Sequence, residues 1–202
     1  GKVSVSLGLL YAGLLCLIAL LVLLNFNFLT ILLAIASMPL AFTYPLMKRY
    51  TYWPQLFLGI TFNYGLILGW TSVTNQIDFV PILLYLGSIF WTLGYDTIYG
   101  FQDLKDDEII GLKSTSIKFK SNPLFFLKIC YSIFLFALIL TGFLLNFDIF
   151  YFILLIIVAL HMYYFQLSKL DIQSADKCLM IFKSNNFLGF IIFVTLLIGK
   201  IL

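Results

Sequence analysis

Seven apolar runs, each about as long as a helix needs to cross a bilayer, fill most of this 202-residue chain. They fall at about 4–24, 28–46, 53–72, 79–101, 122–145, 148–167 and 185–202. A hydrocarbon core ~30 Å thick takes ~20 residues of helix, and none of the runs alternates with the period of two that a barrel strand requires. The pattern predicts an all-α, multi-pass membrane bundle of seven transmembrane helices, organised as a single transmembrane domain over 1–202. Composition excludes a water-soluble globule, because 62% of the residues are hydrophobic and only 10% charged, where soluble domains carry about a quarter. Three dispersed cysteines (Cys16, Cys130, Cys178) make neither a disulfide framework nor a zinc pattern. A net charge of +3 is too small to suggest a nucleic-acid partner. Gly1 stands where an initiator methionine would, and the chain is expected to be a fragment or a processed product.

The breaks between runs carry turn chemistry. Asn25-Phe26-Asn27 is a polar turn, and Pro45 and Pro54 flank a Lys48-Arg49 loop where proline ends and restarts helices. Pro81 falls in the first turn of its helix, where its missing N–H costs nothing. When the connections are assigned alternately to two sides, Lys2, Lys48, Arg49, Lys105, Lys113, Lys118, Lys120, Lys128, Lys169, Lys177 and Lys183 share one side. Only Lys200, of twelve basic residues, falls on the other. That asymmetry is the positive-inside bias and would be scrambled by a wrong helix count. The basic side is therefore expected to be cytoplasmic, with the N-terminus inside and the C-terminus outside.

Five of the nine acidic residues lie between Asp96 and Glu108. If the fourth helix runs on past the membrane surface, Asp96, Asp103 and Asp107 are spaced i, i+7, i+11 and share one face. Carboxylates that close repel unless a cation sits between them. Magnesium suits such a site, since it takes one or two carboxylates and completes its shell with water and phosphate oxygens. A solvated juxtamembrane loop would explain the same cluster without a metal, but Asp96 lies at the end of an apolar run, where a carboxylate is costly and usually functional. Lys105, Lys113, Lys118 and Lys120 surround the acids, so metal and anion could be held together. On the same side, Lys48 and Arg49 sit among Tyr44, Tyr50, Tyr52 and Trp53. They read either as topology anchors in an aromatic belt or as donors to a phosphate or carboxylate. Converging over the mouth of a bundle, the two loops would suit a diphosphate with a long hydrocarbon tail.

Gly65-Leu-Ile-Leu-Gly69 has the small-xxx-small spacing of close helix packing. His161 reads as a packed or interfacial residue, with a general base conceivable. Asp171 and Asp176, among Lys169, Lys177 and Lys183, read as a solvated loop.

The segments Tyr44-Pro45-Leu46-Met47-Lys48-Arg49, Asp96-Thr97-Ile98-Tyr99 with Asp103, Asp106 and Asp107, and Gly111-Leu112-Lys113-Ser114-Thr115 together resemble the UbiA family of intramembrane prenyltransferases. The resemblance is nearest to the branch that prenylates 4-hydroxybenzoate in ubiquinone biosynthesis. It runs in order along the whole chain, and Asn185-Asn186 before the last helix also fits. It implies a fold of nine helices with two aspartate-rich loops. The first loop, of the form Asn-Asp-x-x-Asp-x-x-x-Asp, has no counterpart here. The seven helices then correspond to helices three to nine, with Gly1-Lys2-Val3-Ser4 at the start of the third, and the chain holds half of a metal and diphosphate site.

The resemblance assigns Asp103 and Asp107 as Mg2+ ligands and catalytic residues, Asp96 and Tyr99 as their support, and Lys113 as a diphosphate contact. Arg49, the third residue expected to be catalytic, would with Lys48 hold a substrate anion. Aromatics such as Tyr64, Trp70, Trp91 and Tyr95 could shield an allylic cation. The implied reaction is transfer of a polyprenyl group from polyprenyl diphosphate to 4-hydroxybenzoate, at the cytoplasmic face of a bacterial inner membrane, with reduced or no activity in the isolated chain. The rival reading is a non-enzymatic membrane protein, a carrier or a truncated relative that only binds lipid diphosphate. A lipid phosphotransferase would show an Asp-Gly-x-x-Ala-Arg element, which is absent.

Overall fold

A computed structural model describes residues 4–201; Gly1, Lys2 and Val3, which hold one inner-face lysine and most of the stretch likened to the start of a third helix, and Leu202, the expected end of the last span, lie outside the described residues. All the described elements are helical. In order they are α1 (Val5–Leu23), α2 (Phe28–Thr43), a 3-10 turn at Tyr44–Leu46, α3 (Met47–Tyr50), α4 (Pro54–Phe62), α5 (Gly65–Thr74) and α6 (Phe79–Gly100). There follow α7 (Leu104–Ile110), α8 (Thr115–Lys118), α9 (Pro123–Leu144), α10 (Ile149–Leu160) continuing as a π-helix over His161–Leu167, and α11 (Ala175–Ile201). Among the described residues seven segments are long and apolar enough to span a membrane.

The ends follow from local chemistry. Asn27 caps α2 by accepting from the Thr30 N–H at 3.0 Å, and its amide donates to the Thr71 carbonyl at 2.7 Å, which ties the start of α2 to α5. Asp148 caps α10 through the Phe150 N–H at 3.1 Å. Pro54 and Pro123 open their helices, where no N–H is needed. Pro45, which cannot donate, ends α2 and forces the tighter 3-10 turn.

Two expected spans differ from the observed ones. The third is broken at Asn63 and Tyr64, where the Asn63 amide donates to the Gly59 and Ser88 carbonyls and to Thr92 Oγ1. The last begins at Ala175 rather than 185, because its first turns project beyond the apolar zone and carry Asp176, Lys177 and Lys183. Charge marks the membrane edge there, not the helix end.

Helix α6 is the axis of the bundle, packed against α9, α4 and α11. Leu93, Ile98, Leu127, Phe134 and Leu138 are buried in the core that it shares with α9, α10 and α11. The α6–α9 approach depends on two glycines. A Cβ on Gly87 would lie 2.5 Å from the Ala137 Cβ, and one on Gly94 would lie 2.6 Å from the Tyr131 ring. The Gly65–Gly69 pair does not do what its spacing suggests, since a Cβ at either would meet nothing within 4 Å. Gly94→Leu is therefore expected to cost about 1–3 kcal/mol, read as earlier thermal unfolding in detergent, while Gly69→Leu leaves the transition in place. No residue of α1 is buried.

Candidate active site

The break after α2 sets up one wall of the site. The 3-10 turn and α3 put Tyr44 and Lys48 one turn apart, and both line a cavity of about 220 Å³ at the basic end of the bundle. Gln55 and Leu58 of α4 form a second wall, and Asp96, Tyr99 and Asp103 a third.

The expected continuous acidic helix is not formed. Helix α6 stops at Gly100, the chain turns through Phe101–Asp103, and α7 starts at Leu104 with Asp103 at its N-cap. Asp96 and Asp103 nevertheless face the same cavity. Asp107, one turn into α7, is only 8% exposed and lies 3.8 Å from Lys48 Nζ. Lys48 thus stands between the cavity and a buried carboxylate, which orients its ammonium.

Lys113 reaches the same region by a left-handed glycine. Gly111 takes φ +78°, and the Leu112 N–H then donates to the Asp107 carbonyl at 2.9 Å, closing α7. The Lys113 N–H donates to the Lys48 carbonyl at 2.9 Å, so the two basic loops are joined through backbone. Its ammonium donates to the Tyr50 carbonyl at 3.3 Å and lies 5.7 Å from the Tyr52 ring. Arg49 is exposed on the same face and does not line the cavity.

A buried polar clamp shapes the cavity, and sequence reasoning passed over it. Gln55 Oε1 accepts from the Thr115 N–H at 3.0 Å, the Thr97 and Thr115 hydroxyls lie 2.6 Å apart, and Ser116 Oγ donates to the Thr97 carbonyl at 2.8 Å. All four residues are buried. Gly100 is needed beneath them, since a Cβ there would collide with Ser116 Oγ. The available signal was four polar residues whose neighbours in sequence are otherwise apolar or motif residues.

A second cavity, of about 280 Å³, lies between α4, α6 and α11, with Phe62, Asn63, Trp91, Tyr95, Phe182 and Asn186 among its walls. The Phe182 ring is 4.6 Å from that of Tyr99, which lines the first cavity, and 5.8 Å from that of Tyr95. An aromatic partition therefore separates the two cavities, the second of which is also lined by Lys183 and Asn185. Of the aromatics singled out in sequence, Trp91 and Tyr95 face this second space. Tyr64 instead pairs edge-on with Tyr85, and Trp70 donates to Asp78 at 2.7 Å on the opposite side of the bundle. His161 lies against Phe165 with ring centroids 5.1 Å apart. In the loop before α11, the Lys177 ammonium and then the Gln173 N–H hold the exposed Asp171 carboxyl below its usual range. Of the other acids, Glu108 pairs with Lys120, and Asp106 is exposed beside Lys105.

Among the described residues no three His, Cys, Asp or Glu side chains converge closely enough to hold a metal ion by themselves. The cavity instead offers two carboxylates, Asp96 and Asp103. An all-oxygen donor set of that size suits magnesium, which keeps waters and takes the rest of its shell from phosphate.

Fold and site together define a membrane-embedded helical bundle whose basic end encloses a small acid-and-lysine cavity above an aromatic one. The chain belongs to the UbiA prenyltransferase family, whose model matches residues 1–193. It is 42% identical over 202 residues to the mitochondrial 4-hydroxybenzoate polyprenyltransferase of Bos taurus, covering 100% of this chain and 54% of that protein. It is 40% identical over 208 residues to 4-hydroxybenzoate geranyltransferase 2 of Lithospermum erythrorhizon, covering 100% of this chain and 66% of that one. The chain thus spans about half the length of the mitochondrial relatives it matches. Among solved structures, the apo form of a UbiA homolog from Aeropyrum pernix K1 superposes with a TM-score of 0.76 at 19% identity, over 97% of this chain and 74% of that one. A digeranylgeranylglyceryl phosphate synthase gives 0.71 at 18% identity, over 98% and 71%. Both likenesses bear on the fold.

Proposed function

We propose that this chain carries part of an intramembrane prenyltransferase that moves a polyprenyl group from polyprenyl diphosphate to 4-hydroxybenzoate, Mg2+-dependently, in ubiquinone biosynthesis. The observation that carries the reading is that Lys48, Asp96 and Asp103, from separate parts of the chain, face one cavity at the basic end of an apolar bundle. The printed names of the relatives supply the substrate class.

In this reading the diphosphate head enters the charged cavity, and the hydrocarbon chain lies along the apolar side. Asp103, with Asp96 facing the same space, would hold Mg2+, which supplies charge neutralisation and Lewis acidity to the leaving group when bound. Asp107, expected from sequence as a second ligand, here orients Lys48, whose ammonium takes up charge on the departing diphosphate. Lys113 and Arg49 add positive field at the mouth, and Tyr99 closes the inner side. The allylic C–O bond breaks with its electron pair leaving on the diphosphate. The ring carbon ortho to the acceptor's hydroxyl forms the new C–C bond, and the displaced ring proton passes to the diphosphate. Trp91, Tyr95 and Phe182 keep water from the allylic carbon. The basic face is assigned to the cytoplasmic side of a bacterial inner membrane.

The test is direct. Membranes carrying the full-length open reading frame are incubated with a labelled polyprenyl diphosphate, 4-hydroxybenzoate and Mg2+. Prenylated acid is expected, vanishing on chelation and returning with added Mg2+. Tight diphosphate binding without any transfer would replace this reading by a lipid-diphosphate-binding protein.

A further inference from the structure

Three polar side chains that the reaction above does not use, Tyr131, Gln166 and Asn185, form a continuous run of hydrogen bonds that reaches Trp91 through the centre of the bundle. The Tyr131 hydroxyl of α9 donates to Gln166 Oε1. Gln166 Nε2 donates to Asn185 Oδ1 at 3.1 Å and lies 3.3 Å from His161 Nδ1. Asn185 Oδ1 also accepts from the Trp91 indole Nε1 at 3.0 Å. The remaining Asn185 amide donates to the Ile181 and Phe182 carbonyls at 3.3 and 3.1 Å. Tyr131 and Gln166 are fully buried and Asn185 is 8% exposed. Amides are costly in such surroundings unless every polar atom is paired, and here every one is. Gln166 lies in the π-helical stretch His161–Leu167, a wide turn of a kind that recurs at functional sites.

The run ends at Trp91, and the rest of that indole is also held. One face stacks on Phe134 with centroids 5.1 Å apart and planes 5° from parallel, and Tyr95 meets it edge-on at 5.6 Å. Gly189 lies against the indole, where a Cβ would meet Trp91 Cη2 at 3.4 Å, an ordinary packing contact. The remaining surface of the indole is a wall of the second cavity.

We infer that Tyr131, Gln166 and Asn185 are positioning residues that lock the Trp91 indole in one orientation, as the rigid wall that keeps water off the allylic centre. This rests on the prenyl-transfer reading above. Without the N–H···O bond from α11, the indole can rotate about its side-chain torsions, and the cavity admits water. Water then captures the allylic carbon: the C–O bond to diphosphate breaks as before, a C–O bond to water forms, water loses a proton to the diphosphate, and prenyl alcohol results.

The test measures how product divides between prenylated acid and prenyl alcohol, using the full-length protein in lipid nanodiscs with polyprenyl diphosphate, 4-hydroxybenzoate and Mg2+. Asn185→Leu is expected to raise the alcohol-to-acid ratio about tenfold, the weight of one lost buried hydrogen bond, and Gln166→Leu should move it in the same direction. Asn185→Asp is expected to restore the parental ratio, because a protonated carboxyl still accepts from both N–H groups and its O–H keeps one of the two donations to the Ile181 and Phe182 carbonyls. A second readout needs no turnover. With every other tryptophan of the full-length protein, Trp53 and Trp70 among them, replaced by Phe, the emission of Trp91 should shift to the red and lose anisotropy on Asn185→Leu but not on Asn185→Asp. If Asn185→Leu unfolds earlier yet leaves both ratio and emission at parental values, the run is only packing and the inference falls. If the parent forms neither product, the transferase reading falls, and the emission measurement alone decides whether the indole is locked.

Discussion

Asp103→Ala is expected to reduce prenyl transfer by at least about 100-fold, the loss typical of removing one group that stabilises charge developing in the transition state. The residue is exposed at the N-cap of a seven-residue helix, and its side chain makes no hydrogen bond or ion pair among the described residues, so the fold does not need it. Thermal unfolding should accordingly stay within a degree or two of the parent, about the size of an ordinary surface substitution. Asp103→Asn keeps the shape and removes the charge, and should lose as much activity as the alanine variant. Asp106→Ala, three residues on and outside the lining of the cavity, should stay within about twofold of the parent, as surface changes do. The assay is initial-rate transfer at saturating Mg2+ across the three variants. Undiminished turnover by Asp103→Ala would remove the carboxylate from the mechanism, and equal losses at Asp103 and Asp106 would reduce the effect to general surface charge.

Lys48→Gln is expected to lower kcat/KM for polyprenyl diphosphate by about 10- to 100-fold, the range for a lost hydrogen bond to a charged group. Most of the change should fall in KM for the diphosphate and little in KM for the aromatic acid, because Lys48 lines the charged cavity and not the aromatic one. The variant also leaves Asp107 without its ion-pair partner at 8% exposure. A modest fall in stability should therefore accompany the kinetic loss, and Asp107→Asn in the same chain should recover stability without recovering turnover. Lys48→Arg retains the charge but changes its shape, and is expected to fall between the parent and the glutamine variant. Unchanged KM for the diphosphate in Lys48→Gln would take the ammonium out of the binding site.

Seven crossings and a basic face were legible in the linear sequence because both depend on sums over neighbouring residues. Hydropathy over a run decides whether it enters lipid, and the loop in which each lysine falls decides its side. The acidic helix end and the Lys48-Arg49 loop were legible for the same reason, since their charges cluster locally. What each charged side chain does was not legible. The break at Gly100–Asp103 sets the direction of Asp103 independently of helical spacing, and Asp107 turns to Lys48 across a contact between distant segments. Arg49, adjacent in sequence to Lys48, ends on the outside.

Thr115, Trp91 and Asn185 stood among the residues named from sequence, but their contacts around the two cavities were hidden more deeply. Gln55 meets Thr115 across 60 positions, and Trp91 meets Asn185 across 94. Neither pair stands out in a run of residues, because a single amide in an apolar helix is costly or useful only according to the partner that another helix brings to it. Residue chemistry summed along the chain was enough to determine a lipid-embedded bundle with one basic side. Only tertiary packing decided which acids share a cavity, which glycines permit close approach and which amides hold an indole in place, because each of those depends on where a second helix runs.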